Sequence, residues 1–257
     1  MRLTIVGSGT VVPDGARNSA GHFIETEDTR ILLDCGAGTM HAMARYRLPW
    51  ERMTHLFVSH FHIDHAGELG ALFMAFKHGM RVKRTEPFTL IGPHGLERVM
   101  HGLEEAFGQN LFEPGFPMSV KMVSPGARVQ LGQNTFLTVA KTPHTGESLA
   151  ARVESHGAAI CYTGDTRYSP ELARFFEKAD LLISECSFRE RREDIAHLSI
   201  KDAATIAAEA GVRTLIATHF YFDVDEAELK RELQRDFSGE VIIARDGLSL
   251  DVQRRSA

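Results

Sequence analysis

The sequence predicts an α/β fold in which helices cover layered β-sheet, and two observations support this class. Short runs rich in Val, Ile and Leu recur along the chain and end at Gly, Asp, His or Ser, which is typical of buried strands. Segments with apolar residues at helical spacing alternate with these runs, as they do in layered α/β proteins. No low-complexity linker divides the 257 residues, so we predict a single domain over residues 1–257.

The predicted strands are distributed over both halves of the chain. They cover residues 3–7, 22–26, 30–36, 55–60, 88–92, 136–141, 150–155, 158–165, 180–186, 214–220 and 240–244. The segment 108–135 lies between the two groups and is the richest in Gly and Pro. We predict that it forms a surface hairpin or flap, and the sequence leaves open whether it closes over a site.

Helices are predicted between these strands. Apolar residues at helical spacing mark residues 66–77, 94–107 and 225–237. Ser169 followed by Pro170 is typical of a helix start, because proline is tolerated in the first helical turn. Ser199 with Asp202 resembles a capping box, and Gly211 marks the end of the helix that follows.

Composition and charge exclude several classes of protein. The formal net charge is −5, so the chain lacks the overall basic footprint of a nucleic-acid-binding protein. Basic runs at 77–84 and 189–192 are interpreted as solvated faces, and they are where a polyanion would bind. No segment resembles a membrane span or a signal peptide, so we expect no membrane partner. Three scattered cysteines without a C-x-x-C pair fit a reducing cytoplasm, which is the expected location.

One short segment concentrates side chains that bind metal ions. His60, His62, Asp64 and His65 fall within six positions, directly after a predicted buried strand. The end of a buried strand is a costly place for four polar side chains unless a partner satisfies them. We therefore interpret the segment as part of a metal site.

Polar residues elsewhere occupy similar positions in the predicted sheets. Asp165 and His219 lie at the ends of apolar runs, and His144 closely follows another. Because ligands gather where the strands of layered α/β proteins end, we expect these residues to converge with the first segment.

The seven residues suit two divalent metal ions. One ion would take His60, His62 and His144, and the second would take Asp64, His65 and His219. Asp165 could bridge both ions. All are nitrogen or oxygen donors without a thiolate, which suits Zn²⁺ best and also Mn²⁺ or Fe. Few protein ligands per ion leave coordination positions for water, and an open site of this kind is typical of catalysis.

The motifs resemble those of the metallo-β-lactamase superfamily and, within it, of the ribonuclease Z-like group. The stretch HFHIDH (60–65) matches the H-x-H-x-D-H signature of that group. TPHT, TGDT and ATHF carry His144, Asp165 and His219 in the same order as its later ligand motifs. The resemblance extends over residues 3–220 and implies a four-layer αββα sandwich with a dinuclear metal site at one edge of its sheets.

Further motifs carry the resemblance and suggest roles beyond the ligands. The opening GSGTVVPDGARN resembles the glycine loop of the group, with Arg17 and Asn18. AHLS carries His197, which in this group assists the leaving group, so His197 and Asp64 are the predicted catalytic residues. In LLDCG, Asp34 either orients a ligand histidine or is a polar strand end without a special role.

Other candidates receive ordinary interpretations. Cys186 lies near a strand end, but the ligand set is complete without it, so we interpret it as structural. Phe112, Phe116 and Tyr221 can line a flap, although core packing is the favoured explanation. Seven further histidines have no motif context and are assigned to surface or core: His22, His41, His55, His78, His94, His101 and His156.

The resemblance and the chemistry together predict a binuclear metal-dependent hydrolase. A hydroxide shared by the two ions would attack the substrate, and a general acid such as His197 favours phosphodiesters over other esters. Ribonuclease Z enzymes carry a tRNA-gripping arm, typically between the third and fourth ligand motifs. Here His144 and Asp165 are only 21 positions apart. We therefore favour a small phosphodiester or short nucleic acid as substrate, in agreement with the acidic net charge.

Alternatives stay open at this point. tRNA 3′ processing by a ribonuclease Z is the leading one. Lactonase or arylsulfatase activity on the same metal pair would survive loss of His197. A non-catalytic metal-binding module is the last alternative, and the resemblance also suggests a homodimer.

Overall fold

Two seven-stranded β-sheets form the middle of the molecule in the computed structural model, which describes residues 1–254. The first sheet has the strand order β14 (Ser249–Asp251), β1 (Arg2–Gly7), β2 (Gly21–Glu25), β3 (Arg30–Leu33), β4 (His55–Phe57), β5 (Phe88–Pro93) and β6 (Met118–Val123). The second has the order β13 (Glu240–Ile243), β12 (Thr214–Thr218), β11 (Leu181–Glu185), β10 (Ala158–Tyr162), β9 (Leu149–Ser155), β8 (Thr135–Lys141) and β7 (Arg128–Gln130).

Helices accompany each sheet. The first sheet is joined by α1 (Thr39–Arg45), α2 (Ile63–Ala66), α3 (Leu69–His78), α4 (Leu96–Phe107) and a 3₁₀ turn at Trp50–Arg52. The second is joined by α5 (Pro170–Phe175), α6 (Ile200–Glu209) and α7 (Glu226–Leu233). Within residues 1–254, no helix has the length and apolar character that a membrane span requires.

Three apolar clusters hold these layers together. One cluster combines inward residues of both sheets, such as Ile31 and Ile183, and therefore lies between the sheets. A second joins the first sheet to its helices and includes Phe73 and Phe76 of α3, while the third joins the second sheet to α5, α6 and α7. Burying one such aromatic side chain stabilises the fold by about 1.5–3 kcal/mol. Helix, sheet, sheet and helix layers confirm the predicted αββα sandwich; the single domain over residues 1–257 stays a prediction.

Most predicted elements are present, often shorter than expected. Ser199 and Asp202 form the predicted capping box at the start of α6, with reciprocal side-chain to backbone hydrogen bonds. Pro170 is the first residue of α5, as predicted. The sequence pattern did not reveal α1, β6, β7 or β14, because these elements are short and three of them are edge strands.

The segment 108–135 differs from its prediction. Instead of a surface hairpin, it contains β6 and β7, which lie at the edges of different sheets, so that prediction was wrong. Leu111 and Phe112 are buried in the apolar cluster under α3, and Phe116 packs against the same cluster. The interpretation of Phe112 and Phe116 as core residues is therefore confirmed. Short, largely exposed edge strands leave little hydrophobic pattern to recognise.

Strand direction determines where the site forms. Strands β3 to β6 are parallel to one another, and so are β10 to β13. The carboxyl ends of neighbouring parallel strands meet at one edge of a sheet, where loops carry functional side chains. Asp34 directly follows β3 and His219 directly follows β12, whereas His60 and Asp165 lie a few residues beyond β4 and β10.

Candidate metal centre

The predicted ligands converge into two adjoining clusters. The inner cluster consists of Asp64, His65 and His219, which are all buried. The outer cluster consists of His60, His62 and His144, in which only His60 is buried and His62 is exposed. Each cluster brings its ligand atoms within 4.8 Å of one another, in an arrangement that can hold a metal ion.

Asp165 lies between the two clusters, with one carboxylate oxygen facing each. Its Oδ1 is 3.2 Å from His65 Nε2 and 3.6 Å from His219 Nε2. Its Oδ2 is 3.7 Å from the Nε2 atoms of both His60 and His144. This geometry is the one expected of a carboxylate that bridges two ions. Burial opposes its ionisation, but the imidazoles of His219 and His65 hold the pKa of Asp165 well below its usual range.

A buried carboxylate fixes the ring of His65. Nδ1 of His65 donates a hydrogen bond to Asp34 Oδ2 at 2.7 Å, so the other ring nitrogen faces the cluster. Asp34 also accepts from the backbone N–H and the hydroxyl of Ser59, both at 2.7 Å, and from the Tyr162 hydroxyl at 2.8 Å. Of the two interpretations of Asp34, the contacts favour the one in which it orients a ligand histidine.

The inner cluster is further fixed by strained backbone. Asp34 and His219 both have φ of 62°, in the left-handed region that non-glycine residues seldom occupy. His219 Nδ1 lies 3.0 Å from Ser187 Oγ, whose hydroxyl donates to Glu185 at 2.5 Å, so the ring nitrogen donates to the serine. The Nε2 atom of His219 is thereby directed to Asp64 Oδ2 at 3.3 Å.

The outer cluster has fewer supports. Nδ1 of His144 donates to the backbone carbonyl of Ala196 at 2.8 Å, and Nδ1 of His60 lies 3.0 Å from Ser59 Oγ. Within residues 1–254, the side chain of His62 forms a hydrogen bond only with His144, at 3.1 Å between Nδ1 and Nε2. Burial lowers the pKa of His60 and His144, so both rings favour the neutral form that binds metals.

The donor set fits a pair of metal ions. His60, His65, His144 and His219 each direct Nδ1 to an oxygen, which leaves Nε2 of each ring facing the carboxylate of Asp165. Among the described residues, Nε2 of His60, Nε2 of His65 and Oδ1 of Asp165 are buried without a hydrogen-bond partner. Such groups cost about 1–3 kcal/mol each when unsatisfied. Bound cations would give all three atoms a partner. A set of nitrogen and oxygen donors suits Zn²⁺.

His197 lies beside both clusters and is held by Glu185. Its Nδ1 is 3.1 Å from Glu185 Oε2 and 3.8 Å from Asp165 Oδ2, and its ring contacts those of His144 and His219. Burial lowers the pKa of His197, but the hydrogen bond with Glu185 and the negative charges of Glu185 and Asp165 together outweigh burial and raise the pKa above its ordinary value. The ring can therefore carry a proton next to the metal site.

Two glycines allow the chain to pack closely at the site. A Cβ atom on Gly36 would lie 2.0 Å from the backbone oxygen of Asp64, so only glycine permits α2 to approach the end of β3. Gly164, just before Asp165, has φ of 56° and would place a Cβ atom 3.2 Å from Ser59.

The glycine loop at the N-terminus supports the inner cluster indirectly. Asp246 accepts hydrogen bonds from the backbone N–H groups of Ser8 and Asn18 and from their side chains, at 2.7–2.9 Å. Arg17 donates to Ser8 Oγ at 2.9 Å. The backbone oxygen of Ser8 in turn accepts from the backbone N–H of His219 at 3.1 Å. Arg17 and Asn18 thus help to position a predicted ligand.

All seven predicted ligands and His197 come together, whereas several supporting residues were missed. Glu185, Ser187 and Tyr162 are the most important of these. Glu185 carried a signal, because it is a carboxylate at the end of an apolar run. Tyr221 was favoured as a core residue, but it is 36% exposed and its ring lies 5.5 Å from that of His219. Cys186 is fully buried in an apolar cluster, in agreement with a structural role.

Fold and site together define a metallohydrolase of the αββα type. A sequence profile described as a Beta-lactamase superfamily domain matches residues 29–220. The chain therefore belongs to the metallo-β-lactamase superfamily, and its relatives fall in the ribonuclease Z-like group.

Similar proteins cover the chain almost completely. The Ribonuclease Z of Halorubrum lacusprofundi is 28% identical, over 98% of this chain and 97% of its own length. The Probable metallo-hydrolase YhfI of Bacillus subtilis is 29% identical, over 96% of this chain and 98% of its own length. The crystal structure of YhfI has a TM-score of 0.82 at 27% identity and covers 97% of this chain and 99% of its own. The crystal structure of human tRNase Z, short form, has a TM-score of 0.79 at 22% identity and covers 98% of this chain and 100% of its own. This likeness supports the assignment of the fold.

Proposed function

We propose that this metal-dependent hydrolase is a phosphodiesterase that acts on a small phosphodiester or a short nucleic acid. The observation that carries the proposal is the position of His197. The ring lies against the predicted metal ligands and is held through Nδ1 by Glu185 at 3.1 Å, so Nε2 remains available to a substrate. A proton donor beside a metal pair suits a reaction that expels a poor leaving group, such as an alkoxide.

The metal ligands and His197 have separate roles in the proposed reaction. The outer cluster (His60, His62 and His144) would hold one divalent ion, and the inner cluster (Asp64, His65 and His219) would hold the other. Asp165 would contact both ions. When bound, such ions supply Lewis acidity and lower the pKa of coordinated water. His197 protonates the leaving oxygen, and Glu185 orients the ring and stabilises its charged form.

Asp64 is the second predicted catalytic residue, and its contacts favour a ligand role. Burial raises the pKa of this carboxyl, but the hydrogen bond with His219 and the charges of His65 and His219 together outweigh burial and lower the pKa below its ordinary value. An ionised carboxylate binds a cation and is a poor proton donor near neutral pH. We therefore propose Asp64 chiefly as a ligand and His197 as the acid.

A small substrate agrees with the connection between the third and fourth ligand motifs. Strands β9 and β10 take up most of the chain between His144 and Asp165 and are joined by a two-residue turn at His156 and Gly157, both with positive φ. No arm can emerge from such a turn. The alignment with the Halorubrum Ribonuclease Z spans 309 positions, against 250 for YhfI, so the former relative carries insertions that this chain lacks.

Maturation of tRNA 3′ ends is the second candidate, and the names of the relatives favour it. Several proteins about as similar as YhfI are called Ribonuclease Z, and a structural neighbour is called tRNase Z. An enzyme of this kind would need another way to grip tRNA.

The test compares substrates under identical conditions. Protein loaded with Zn²⁺ or Mn²⁺ is assayed with bis(p-nitrophenyl) phosphate, a cyclic nucleotide, precursor tRNA with a 3′ trailer, a lactone and an aryl sulfate. His62→Ala and His197→Ala are assayed in parallel, together with their metal content. We expect cleavage of the small diesters, and a loss of about 10²–10⁴-fold in His197→Ala with both metal ions retained.

Substrates with different leaving groups distinguish two possible roles of His197, general acid and metal ligand. His197→Ala should lose more activity on a diester with an alkoxide leaving group than on one that releases p-nitrophenolate, which needs little protonation. Loss of a metal ion in His197→Ala would assign the residue as a ligand instead. Accurate cleavage of the tRNA trailer would favour the second candidate. Hydrolysis restricted to the lactone or sulfate ester would overturn the phosphodiesterase proposal, and binding of metals without any turnover would favour a non-catalytic module.

A further inference from the structure

A cavity of about 190 Å³ opens beside His197 and is lined mainly by charged side chains. They are Arg167, Tyr168, Arg191, Arg192, Glu193, His197 and Asp202. A groove of about 510 Å³ shares Tyr168, Arg191 and Asp202 with the cavity and adds two more cations, Arg189 and Lys201. Cations outnumber carboxylates along this path, which includes the basic run 189–192. The chain is acidic overall, so this concentration of arginine next to the metal centre is a local feature.

Most of these arginines already have carboxylate partners. Arg191 is paired with Asp202, which also forms the capping box of α6, so this pair has a structural role. Arg189 lies 3.3–3.4 Å from two glutamates of α7. Arg192 pairs with Asp194 at 2.7 Å, but both side chains are about half exposed, and exposed pairs of this kind are weak.

Arg167 is different from the other arginines. Within residues 1–254 its side chain forms neither a hydrogen bond nor an ion pair, and it is exposed where it lines the cavity. Its backbone position is fixed, because its N–H donates to the carbonyl of Pro143 at 3.3 Å. Arg167 therefore follows one predicted ligand, Asp165, by two residues, and its backbone is bonded to Pro143, the neighbour of another predicted ligand, His144. The backbone is therefore fixed beside the site, and the guanidinium, which has no carboxylate partner among the described residues, is free to bind an anion.

We infer that Arg167, assisted by Arg192 at the rim, binds a second phosphate group of the substrate on the leaving-group side of the reaction. This inference rests on the proposed function, since His197 lines the cavity and is the proposed acid for the leaving oxygen. A phosphate fits a space of this size, and the adjoining groove has the volume of an ordinary ligand site. The substrate class is then a phosphodiester whose leaving alcohol carries a further phosphate, as in a short oligonucleotide, in preference to a cyclic mononucleotide.

The experiment uses dinucleotides that differ by one phosphate. TpT, pTpT and TpTp are cleaved by the zinc-loaded full-length protein and by Arg167→Gln, Arg167→Lys and Arg174→Gln, and kcat and KM are measured. Arg174 is an exposed arginine on α5, outside the cavity, and serves as the matched control. We expect wild type and Arg174→Gln to prefer one phosphorylated dinucleotide over TpT by at least about tenfold in kcat/KM, chiefly through KM. Arg167→Gln should reduce this preference to nearly onefold, and Arg167→Lys should restore part of it.

A binding measurement separates failure of the inference from failure of the proposed function. Thymidine 3′,5′-bisphosphate is titrated into the metal-free protein by calorimetry, where we expect Arg167→Gln to bind at least about fivefold more weakly than wild type. If no diester is cleaved but this difference is found, the phosphodiesterase proposal is wrong and the phosphate site stands. Equal kcat/KM for the three dinucleotides in wild type, an unchanged preference in Arg167→Gln, or equal binding by both proteins would overturn the inference.

Discussion

The inner and outer clusters contain similar side chains, but the fold holds them differently. Every residue of the inner cluster is buried, and the rings of His65 and His219 are oriented through Asp34 and Ser187, which have partners of their own. The outer cluster contains the exposed His62, whose side chain contacts only other histidines among the described ligands. The difference predicts that a metal ion in the inner cluster would bind at a position preorganised by the core, whereas one in the outer cluster would adjust or exchange more easily.

The largest effect is expected from the residue that both clusters share. Asp165→Ala removes the oxygens that face His65 and His219 on one side and His60 and His144 on the other. Both metal ions should then bind more than about 100-fold more weakly, which exceeds the usual cost of losing a supporting residue. Metal content after gel filtration, measured by mass spectrometry, checks this. Retention of one full equivalent would show that the carboxylate serves a single ion.

A smaller and unequal effect is expected at Asp34, which bonds His65 of the inner cluster directly and reaches His60 of the outer cluster only through Ser59. Asp34→Ala leaves the Ser59, Tyr162 and His65 donors without an acceptor, so the metal ion of the inner cluster should bind about 10–100-fold more weakly, and that of the outer cluster should be affected less. The free energy of unfolding of the metal-free protein should also fall, by about 1–3 kcal/mol. Calorimetric zinc titration and urea unfolding measure the two effects.

Asn is the matched control at this position. Asp34→Asn keeps one acceptor oxygen and tolerates the left-handed backbone, so its effects on metal affinity and unfolding should be smaller. Equal weakening of both metal ions in Asp34→Ala would contradict the separation between inner and outer clusters.

His62 and His65 provide the most direct contrast between the clusters. His62→Ala should lower metal content towards one equivalent and change the free energy of unfolding of the metal-free protein by less than about 0.5 kcal/mol, because His62 is exposed. His65→Ala removes a fully buried ring and its hydrogen bond to Asp34, and should cost about 2 kcal/mol or more in addition to a metal ion. Similar stability losses in the two variants would show that exposure does not separate the clusters.

Sequence alone predicted the parts of the site that depend on local spacing. The H-x-H-x-D-H stretch and the polar ends of apolar runs identified every residue of both clusters, and Asp34 as a candidate support. A strand end is recognisable because an apolar run stops abruptly at a polar residue. The layered fold followed from the same runs, and the two sheets confirm it.

The supporting network could not be predicted, because it consists of contacts between distant segments. Tyr162 donates to Asp34 across 128 positions of sequence, and Asp246 accepts from Ser8 across 238. Neither residue type is unusual at its position. Positive φ at Asp34 and His219 likewise depends on the surrounding packing, which no local pattern records.

At neutral pH the smallest effect is expected from a histidine that shares a strand with the site but lies outside it. His55 begins β4, whereas His60 follows the end of that strand. Burial, and then the charge of Lys121, lower the pKa of His55 to about 4. The unfolded chain has the ordinary value of about 6.5 and binds this proton first, so stability is complete above pH 6.5 and declines as the pH falls towards 4. The contribution is at most about 1.4 kcal/mol per pH unit.

Substitution of His55 removes this contribution without touching the clusters. In metal-free protein, His55→Gln should lose less stability than wild type between pH 6.5 and 4, as measured by urea unfolding at several pH values. Its metal content at pH 7 should equal that of wild type, because His55 bonds Thr54 and no predicted ligand. Parallel stability curves would mean that the folded protein admits the proton at His55, and a loss of metal would place this end of β4 in the support of the site.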